Sequence, residues 1–304
     1  MEMRDIEYFG VIAQHGNLRR ASEALKLSPP ALSKSLKRLE DAMQARLVER
    51  TGKGVRLTPI GAAVAAQAQR MRLTLDDITR EAADMSRGRA GHIRIGASPV
   101  DCENLPGPCA KLLRESPKLT FEITVSDNDV MVPLLQEGRL DVIFNYIPPR
   151  PYDGLRQEHV YDDAYSVFAS ADHPLTKARR VPLAEVAKEG WAMSTDHHRP
   201  IHVLKHSFAE HGLGEPRFVV QTRSLRLRLQ LVAVSRLLCY GSVEGHRAAF
   251  TGLKLKPVAV KELHVPKPVG AMYRRDAYLP PAARRLIDLF KREVQNTGYT
   301  PERL

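Results

Sequence analysis

Along residues 1–40, apolar side chains recur at helical spacing, and this pattern predicts three short helices in succession. The first is expected to end at Gly16. Asn17 is expected to cap the second helix, because its side chain can accept a hydrogen bond from the free N–H groups of the next turn. Ser28 has the same role before the third helix, and Pro29 occupies the first helical position, where a missing N–H does no harm. Two helices joined by a short turn predict a helix-turn-helix.

The third predicted helix has two different faces. Leu32, Leu36 and Leu39 recur at i, i+4 and i+7 and form one apolar stripe. The opposite face carries hydroxyl and cationic groups: Ser33, Lys34, Lys37 and Arg38. Such a face suits a DNA groove. An ordinary surface helix with a solvated basic face is the alternative, and the two-helix unit favours DNA.

A β-hairpin is predicted directly after these helices. Strands at 46–50 and 55–57 flank the turn at 51–54, where glycines supply the positive φ that a hairpin needs. Lys53 lies at the tip, with Arg50 and Arg56 on the flanks. A cationic loop of this kind can follow a phosphate backbone or enter a minor groove.

The segment FGVIAQHGNLRRASEALKLSPPALSKSLKRLEDAMQARLVERTGKGVRLTPIG resembles the winged helix-turn-helix of the LysR-type transcriptional regulators. The chain departs from the family pattern at Pro29, where Gln is usual, and at Gln44 and Val48, where Gly and Phe are usual. Lys34, Lys37 and Lys53 are expected mainly to hold phosphates, and Ser28, Ala31 and Ser33 to face base edges. The predicted DNA-binding residues are Asn17, Arg19, Ser28, Pro29, Pro30, Ala31, Ser33, Lys34, Lys37, Arg38, Arg50, Lys53 and Arg56.

Thr58-Pro59 is expected to open a long helix that runs to about Arg87. Its apolar positions follow an unbroken heptad spacing, typical of a helix that pairs with a second copy. A single amphipathic helix on a globular core is the alternative. The resemblance also implies a homodimer through this helix and a homotetramer. The seam consists of Val64, Ala68, Met71, Leu75, Ile78, Ala82 and Met85.

Strand and helix patterns alternate after residue 90, which predicts an α/β fold with a parallel sheet. The predicted strands take the chain out of a first lobe and return it there late, which indicates a two-lobed, periplasmic-binding-protein-like domain. We therefore predict three segments: a winged helix-turn-helix at 1–58, a linker and dimerisation helix at 59–89, and an effector-binding domain at 90–304. Within that domain, lobe I covers about 90–161 and 268–304, and lobe II about 162–267.

Ligands of parallel α/β sheets bind beyond the carboxyl ends of the strands, which makes Ser98, Ser126, Asp127 and Asn128 candidates. The resemblance to the LysR effector domain implies a small-molecule effector bound between the lobes. Carried over by position, the effector-binding residues are Ser98, Asn128, Thr195, Ile201, His202 and Ser242.

The 304-residue chain carries a net charge of +11 and has a pI near 9.7, which favours polyanionic partners such as double-stranded DNA. Arg223, Arg226 and Arg228 crowd one predicted helix. They would match an anionic effector such as a carboxylate. A solvated cationic surface is the alternative, and we rank it above a ligand role for these arginines.

Three cysteines form neither a disulfide framework nor a zinc pattern, so reduced thiols and a cytoplasmic location are expected. A redox switch at Cys102 or Cys109 competes with buried, inert thiols. Histidines at 197, 198 and 202 suggest a metal only weakly. No metal, cofactor or membrane span is predicted. An α/β enzyme or solute-binding protein with a basic appendage remains the competing class, although no catalytic motif supports it.

Overall fold

The computed structural model describes residues 1–52, 54–87, 91–195, 198–245 and 252–296. The chain divides into two compact units, Met1–Ser86 and Arg87–Leu304, here called the N-terminal and C-terminal units. None of the described helices is long and apolar enough to cross a membrane.

The N-terminal unit contains four helices and a two-stranded sheet. In order, these are α1 (Met3–His15), α2 (Leu18–Leu25), α3 (Pro29–Met43), β1 (Val48–Thr51), β2 (Gly54–Leu57) and α4 (Pro59–Arg87). The predicted caps are present. The Asn17 side chain accepts hydrogen bonds from the backbone N–H of Arg19 at 2.9 Å and of Arg20 at 3.2 Å, and Ser28 accepts one from Ala31 at 3.4 Å.

Helices α1, α2 and α3 enclose one apolar core. Six of its side chains have no exposed surface: Phe9, Ile12, Ala21, Leu32, Leu39 and Leu47. Burying a Leu, Ile or Phe side chain stabilises a fold by about 1.5–3 kcal/mol, so this stripe holds α3 against its two neighbours. The solvent-facing side of α3 is thereby fixed.

The β1–β2 hairpin is tied to α3 through Glu40. The Glu40 carboxylate accepts hydrogen bonds from the backbone N–H of Leu47 at 2.8 Å and of Val48 at 3.3 Å. The two strands of the hairpin pair antiparallel, with Val48 opposite Leu57. Helix α4 follows directly, and Thr58 caps it by accepting a hydrogen bond from Gly61 N–H at 2.9 Å. The winged helix-turn-helix is therefore complete before α4 begins.

The C-terminal unit alternates strands and helices. In order, these are β3 (His92–Ala97), α5 (Pro106–Glu115), β4 (Thr120–Val125), α6 (Asn128–Gln136), β5 (Val142–Tyr146), β6 (Leu155–Ser170), α7 (Leu183–Val186), β7 (Gly190–Met193), α8 (His198–Glu210), β8 (Arg217–Gln221), α9 (Leu225–Ala233), β9 (Cys239–Ser242), β10 (Leu255–Val258), β11 (Val265–Arg274) and α10 (Pro281–Asn296). Short 3₁₀ turns lie at Asp101–Asn104, Pro174–Lys177 and Lys261–Leu263.

The main sheet has the strand order β10-β6-β11-β5-β3-β4, and β9 pairs with β6. Strand β3 is parallel to β4 and to β5, as the alternation predicted. Strands β6 and β11 run antiparallel to each other, and β11 is antiparallel to β5. The sheet is therefore mixed, because these two strands carry the chain out of lobe I and back into it.

Strand β6 spans both lobes. Its first part pairs with β11, and its last residues pair with β9 and β10. The sequence predicts two separate strands here, at 155–160 and 165–169, and the structure has one continuous strand. A bulge interrupts the β6–β11 pairing between Val269 and Gly270. A Cβ atom at Gly270 would lie 2.4 Å from the Glu158 carbonyl oxygen, so only glycine fits this close approach.

Each lobe has its own apolar core. In lobe I, α5 and α10 cover one face of the sheet, and Phe144 stacks on Phe290 with ring centroids 4.2 Å apart. In lobe II, Trp191 and Phe208 meet edge to face at 6.1 Å. Strands β7 and β8 are parallel, and a bridge between Trp191 and Leu238 joins them to β9. In the described part of this unit, only β6 and β11 connect the two lobes.

Candidate DNA-binding surface and effector cavity

A buried carboxylate holds α1 against α3. Asp5 has no exposed surface and accepts hydrogen bonds from Ser35 Oγ at 2.6 Å, from Arg38 Nε at 3.0 Å and from a second nitrogen of Arg38. The Arg38 hydrogen bonds lower the pKa of Asp5 well below its usual range, although burial acts in the opposite direction. Arg38, a predicted DNA contact, is partly exposed, but its guanidinium is hydrogen-bonded to Asp5 and so links α3 to α1.

The outer face of α3 presents unpaired cations. Lys34 and Lys37 are exposed, and within the described part of the chain neither has a carboxylate partner. The start of α3 is exposed as well, from Ser28 through Ala31, while Ser33 is half-buried. The predicted phosphate-binding and base-facing residues therefore share one side of one helix.

The wing adds further cations beside α3. Arg50 is exposed, whereas Arg56 forms an ion pair with Glu49 on the opposite strand at 2.7 Å. Lys53, the predicted tip, lies outside the described residues. Arg19 on α2 is paired with Glu23 at 3.3 Å. Exposed ion pairs of this kind are worth at most about 1 kcal/mol, so a phosphate can displace either carboxylate.

A small cavity of about 50 Å³ lies between the two lobes of the C-terminal unit. Both lobes and both connecting strands contribute to it. Its wall consists of Ser98, Val100, Asp127, Asn145, Tyr165, Met193, Ser194, Pro200, Leu225, Arg228, Tyr240, Gly241, Ser242 and Lys267. Typical ligand pockets enclose about 300–1,000 Å³. The space between the lobes is therefore smaller than that of a typical ligand pocket.

Two serine–aspartate pairs flank the cavity floor, one from each lobe. Ser98 donates to Asp101, which also accepts a hydrogen bond from the Tyr161 hydroxyl at 2.6 Å. Ser242 donates to Asp163 on β6. Both serine protons are committed to carboxylates, so toward a ligand these hydroxyls offer lone pairs rather than protons.

Lys267 on β11 lies between the two aspartates. Its ammonium is 3.4 Å from an Asp163 oxygen and 3.8 Å from an Asp101 oxygen, and the side chain is buried. Burial alone would lower the pKa of Lys267, but the two carboxylates outweigh that effect and raise it. Lys267 is therefore charged, and its charge is compensated within the protein.

Two of the six predicted effector-binding residues line the cavity, and four do not. Ser98 and Ser242 line the cavity. Asn128 lies next to the lining residue Asp127, and its amide donates to the Tyr146 carbonyl at 2.8 Å. The remaining three lie outside the cavity wall: Thr195 and His202 are exposed, and Ile201 packs against the lobe II core. Pro200, the neighbour of Ile201, is the lining residue on α8.

Sequence reasoning missed the buried charges of this site. Lys267 and Asp163 come together across 104 residues of chain, and no local pattern signals such a pair. A solvated position was predicted for Arg228, but Arg228 is buried in the cavity wall. A usable signal existed, because Leu225, Arg228 and Val232 are spaced as one face of a helix.

The cysteines are not poised for redox chemistry. Burial raises the pKa of Cys102 to about 11, aided by Glu103 and Asp101, and it also raises the pKa of Cys109. A reactive cysteine needs a thiolate at neutral pH, which these environments disfavour. His202 is exposed on α8, while His197 and the His198 side chain lie outside the described residues. Within the described ranges, no group of three metal-binding side chains could hold an ion.

A helix-turn-helix with an exposed basic face, joined to a two-lobed unit around a polar cavity, defines a ligand-responsive DNA-binding protein as a class. Two family models match the chain. Residues 3–62 match the bacterial regulatory helix-turn-helix protein, lysR family, and residues 86–295 match the LysR substrate binding domain. The chain belongs to the LysR family of DNA-binding transcriptional regulators, with a C-terminal effector-binding domain.

Relatives and solved structures agree with this assignment. The chain is 26% identical over 241 residues to the RuBisCO operon transcriptional regulator of Allochromatium vinosum, covering 77% of this chain and 80% of that protein. It is 25% identical over 306 residues to the transcriptional regulator YtlI of Bacillus subtilis, covering 97% and 95%. A full-length OxyR variant from Pseudomonas aeruginosa shares the fold with a TM-score of 0.66 at 22% identity, covering 96% and 95%. Full-length CbnR in complex with its target DNA shares it with a TM-score of 0.58 at 21% identity, covering 96% and 100%.

Proposed function

We propose that α3 enters the major groove of double-stranded DNA and that the β1–β2 wing follows the adjacent backbone. The observation that carries this proposal is the pair of exposed, unpaired cations, Lys34 and Lys37, on the face of α3 opposite its buried leucines. Side chains at the start of a recognition helix are the ones that reach base edges. Ser28 and Ala31 occupy that place, with Pro29 between them. Pro29 donates no hydrogen bond, so specificity depends on its neighbours and on DNA shape.

The regulator acts as a homodimer through α4. Ile78 lies on the heptad seam and exposes 57% of its surface, and Ala82 one turn later is also exposed. A second copy that covers this seam removes apolar surface from water. Met85 also belongs to the seam, but its side chain lies outside the described residues. The substitution Ile78→Glu is expected to shift the sedimentation of the full chain toward a smaller species, and Thr79→Glu serves as its exposed neighbour control.

A homotetramer forms when C-terminal units pair as well. In the described part of this unit, large apolar side chains are exposed on α5, along β4 and α6, and along β8 and α9. They are Leu113, Ile123, Val125 and Val130 in lobe I, and Val219, Leu227 and Val234 in lobe II. Clusters of this kind mark protein interfaces. The substitution Val125→Arg is expected to reduce a tetramer to a dimer in sedimentation, and an unchanged mass would contradict this second interface.

The small-molecule effector binds in the cavity between the lobes and is anionic. The cavity is lined from both lobes, so a bound ligand contacts both and stabilises their closed arrangement. The buried guanidinium of Arg228 in the wall, which no described carboxylate pairs, supports an anion. The protein acts in the cytoplasm by binding rather than by catalysis, and the ligand changes its affinity for DNA or its arrangement on DNA.

A mobility-shift assay with the full chain and its own upstream DNA tests this function. We expect retardation at low salt that weakens as salt rises, because phosphate contacts release counterions. Shuffled DNA of equal length and composition is the control for sequence specificity. Absence of retardation at low salt, with and without candidate ligands, would refute the proposed DNA-binding mode.

A further inference from the structure

Arg228 is a buried guanidinium that lacks a protein partner for its charge. It lies on α9 in the cavity wall and exposes 5% of its surface. Its Nε atom has no hydrogen-bond acceptor, and within the described part of the chain no carboxylate forms an ion pair with it. Burial lowers the pKa of Arg228 from its usual value, which reflects the same lack of compensation.

The other cation in the wall is in the opposite situation. Lys267 has two carboxylates within 4 Å, so it needs no further anion. An isolated buried charge is costly unless it is paired and hydrogen-bonded. Arg228 therefore carries the uncompensated charge in the cavity wall. Tyr240 adds a second group to the same wall, since its hydroxyl is buried without a hydrogen-bond partner.

Size and charge together restrict the ligand. One water needs about 10–15 Å³ of this kind of space, so a cavity of about 50 Å³ holds about four water-sized groups. Asp127 also lines the cavity, from the lobe I side, and takes part in interactions of its own. Its carboxylate repels a second negative charge on a ligand. A small monoanion fits these conditions better than a dianion.

We propose that Arg228 is the anchor of the inter-lobe cavity and that the ligand is a small monocarboxylate, about the size of acetate or glycolate. The planar guanidinium forms paired hydrogen bonds with a carboxylate, and the Tyr240 hydroxyl donates to one of its oxygens. This assignment rests on the effector role proposed above for the same cavity. It names the chemical class of the ligand and the residue that selects it.

The chain offers a matched control for this residue. Arg226 lies on the same helix, carries the same charge and is exposed to solvent. The substitutions Arg228→Met and Arg226→Met therefore remove the same group from a buried and from a solvated position. Because Arg228 lacks a partner, Arg228→Met is expected to keep or raise the melting temperature of the ligand-free protein, so loss of binding cannot be confused with unfolding.

The test is calorimetric titration of the full chain with acetate, glycolate, acetamide, benzoate and phosphate. We expect saturable binding of acetate or glycolate and none of the neutral acetamide. Arg228→Met should weaken carboxylate binding by about ten- to hundredfold, while Arg226→Met leaves it unchanged. Equal affinity in both variants, binding of acetamide as tight as that of acetate, or a preference for phosphate or benzoate would overturn the assignment.

A parallel mobility-shift series separates this proposal from the broader one. If a carboxylate binds through Arg228 and leaves the DNA complex unchanged, the anchor stands and the effector role of the cavity fails. If another class of small molecule binds and alters the DNA complex, the effector role stands and the carboxylate assignment fails.

Discussion

Replacing Asp5 by Asn should loosen the recognition helix without altering its exposed face. Asp5 accepts hydrogen bonds from Ser35, Arg38 and the backbone N–H of Glu2, the last at 2.8 Å. Hydrogen bonds to a charged group contribute about 1.5–3 kcal/mol. The Arg38 side chain is 39% exposed, so it regains some water when the carboxylate is lost. We therefore expect Asp5→Asn to lower the free energy of unfolding of the N-terminal unit by about 2 kcal/mol, near the lower part of that range.

Hydrogen exchange measured by mass spectrometry on the full chain checks this value. A loss of about 2 kcal/mol corresponds to about thirtyfold lower protection in peptides from α1 and α3, since 1.4 kcal/mol is a factor of ten. Peptides from α5 and α10 in the other unit should be unaffected. Asp41→Asn, which removes an exposed carboxylate from α3 itself, is the control. Equal protection in the two variants would refute the reasoning.

The same pair predicts a pH dependence with a definite sign. Because Arg38 lowers the pKa of Asp5 in the folded state, the stabilisation is fully present above the unfolded-state pKa of about 3.9. It is lost as the pH falls toward the folded-state pKa. The difference in stability between the wild type and Asp5→Asn should therefore be constant near neutral pH and shrink below about pH 4. A difference that grows on acidification would contradict the ion pair.

Three further outcomes are expected. Lys37→Ala should weaken binding to all DNA sequences alike and reduce the slope of log affinity against log salt by about 0.9 per lost phosphate contact, whereas Lys111→Ala in the C-terminal unit should not. Glu158→Gln should lower the free energy of unfolding by about 2–3 kcal/mol. The Glu158 carboxylate pairs with Arg284, which lowers its pKa to about 2, and with Lys291 at 2.8 Å. Urea unfolding measures this loss, and Glu115→Gln in an exposed pair should cost less than about 1 kcal/mol. Cys102, with a pKa of about 11, should resist alkylation at pH 7 in the native protein, and rapid labelling would show that the thiol is more exposed than described.

Most of the helices and strands could be predicted because caps, prolines and apolar spacing lie within or next to each element. The caps Asn17 and Ser28 and the prolines after Ser28 and Thr58 marked helix starts that the structure shares. Strand β10 was missed because LKPV contains a proline, which is tolerated there at the edge of the sheet. Strand β9 was missed because CYGS is short and contains glycine and serine, which are poor indicators of a strand.

The site was less predictable than the fold. Separate strands were predicted at 155–160 and 165–169, but Asp163 between them is buried in one continuous strand, where Lys267 compensates its charge. Because Lys267 lies on a strand that is distant in the chain, the sequence around Asp163 gives no sign that its charge is compensated. The resemblance correctly indicated that Ser98 and Ser242 line the cavity, because their positions at the ends of β3 and β9 follow from the fold. The resemblance did not indicate Arg228, because residues that select a ligand differ between proteins that share one fold.

The pairing of β6 with β11 has a consequence for exchanging lobes between regulators. Lobe II is an insertion bounded by two strands that remain hydrogen-bonded to each other from Leu155 to Tyr165. A chimera with a new lobe II must therefore join both strands in register, because a slip of one residue turns every following side chain to the opposite face. Such a slip would move Asp163 and Lys267 away from each other and expose one charge to an apolar core. The bulge at Val269–Gly270 marks where the register changes, so lobe II is best transplanted with both strand segments up to that point.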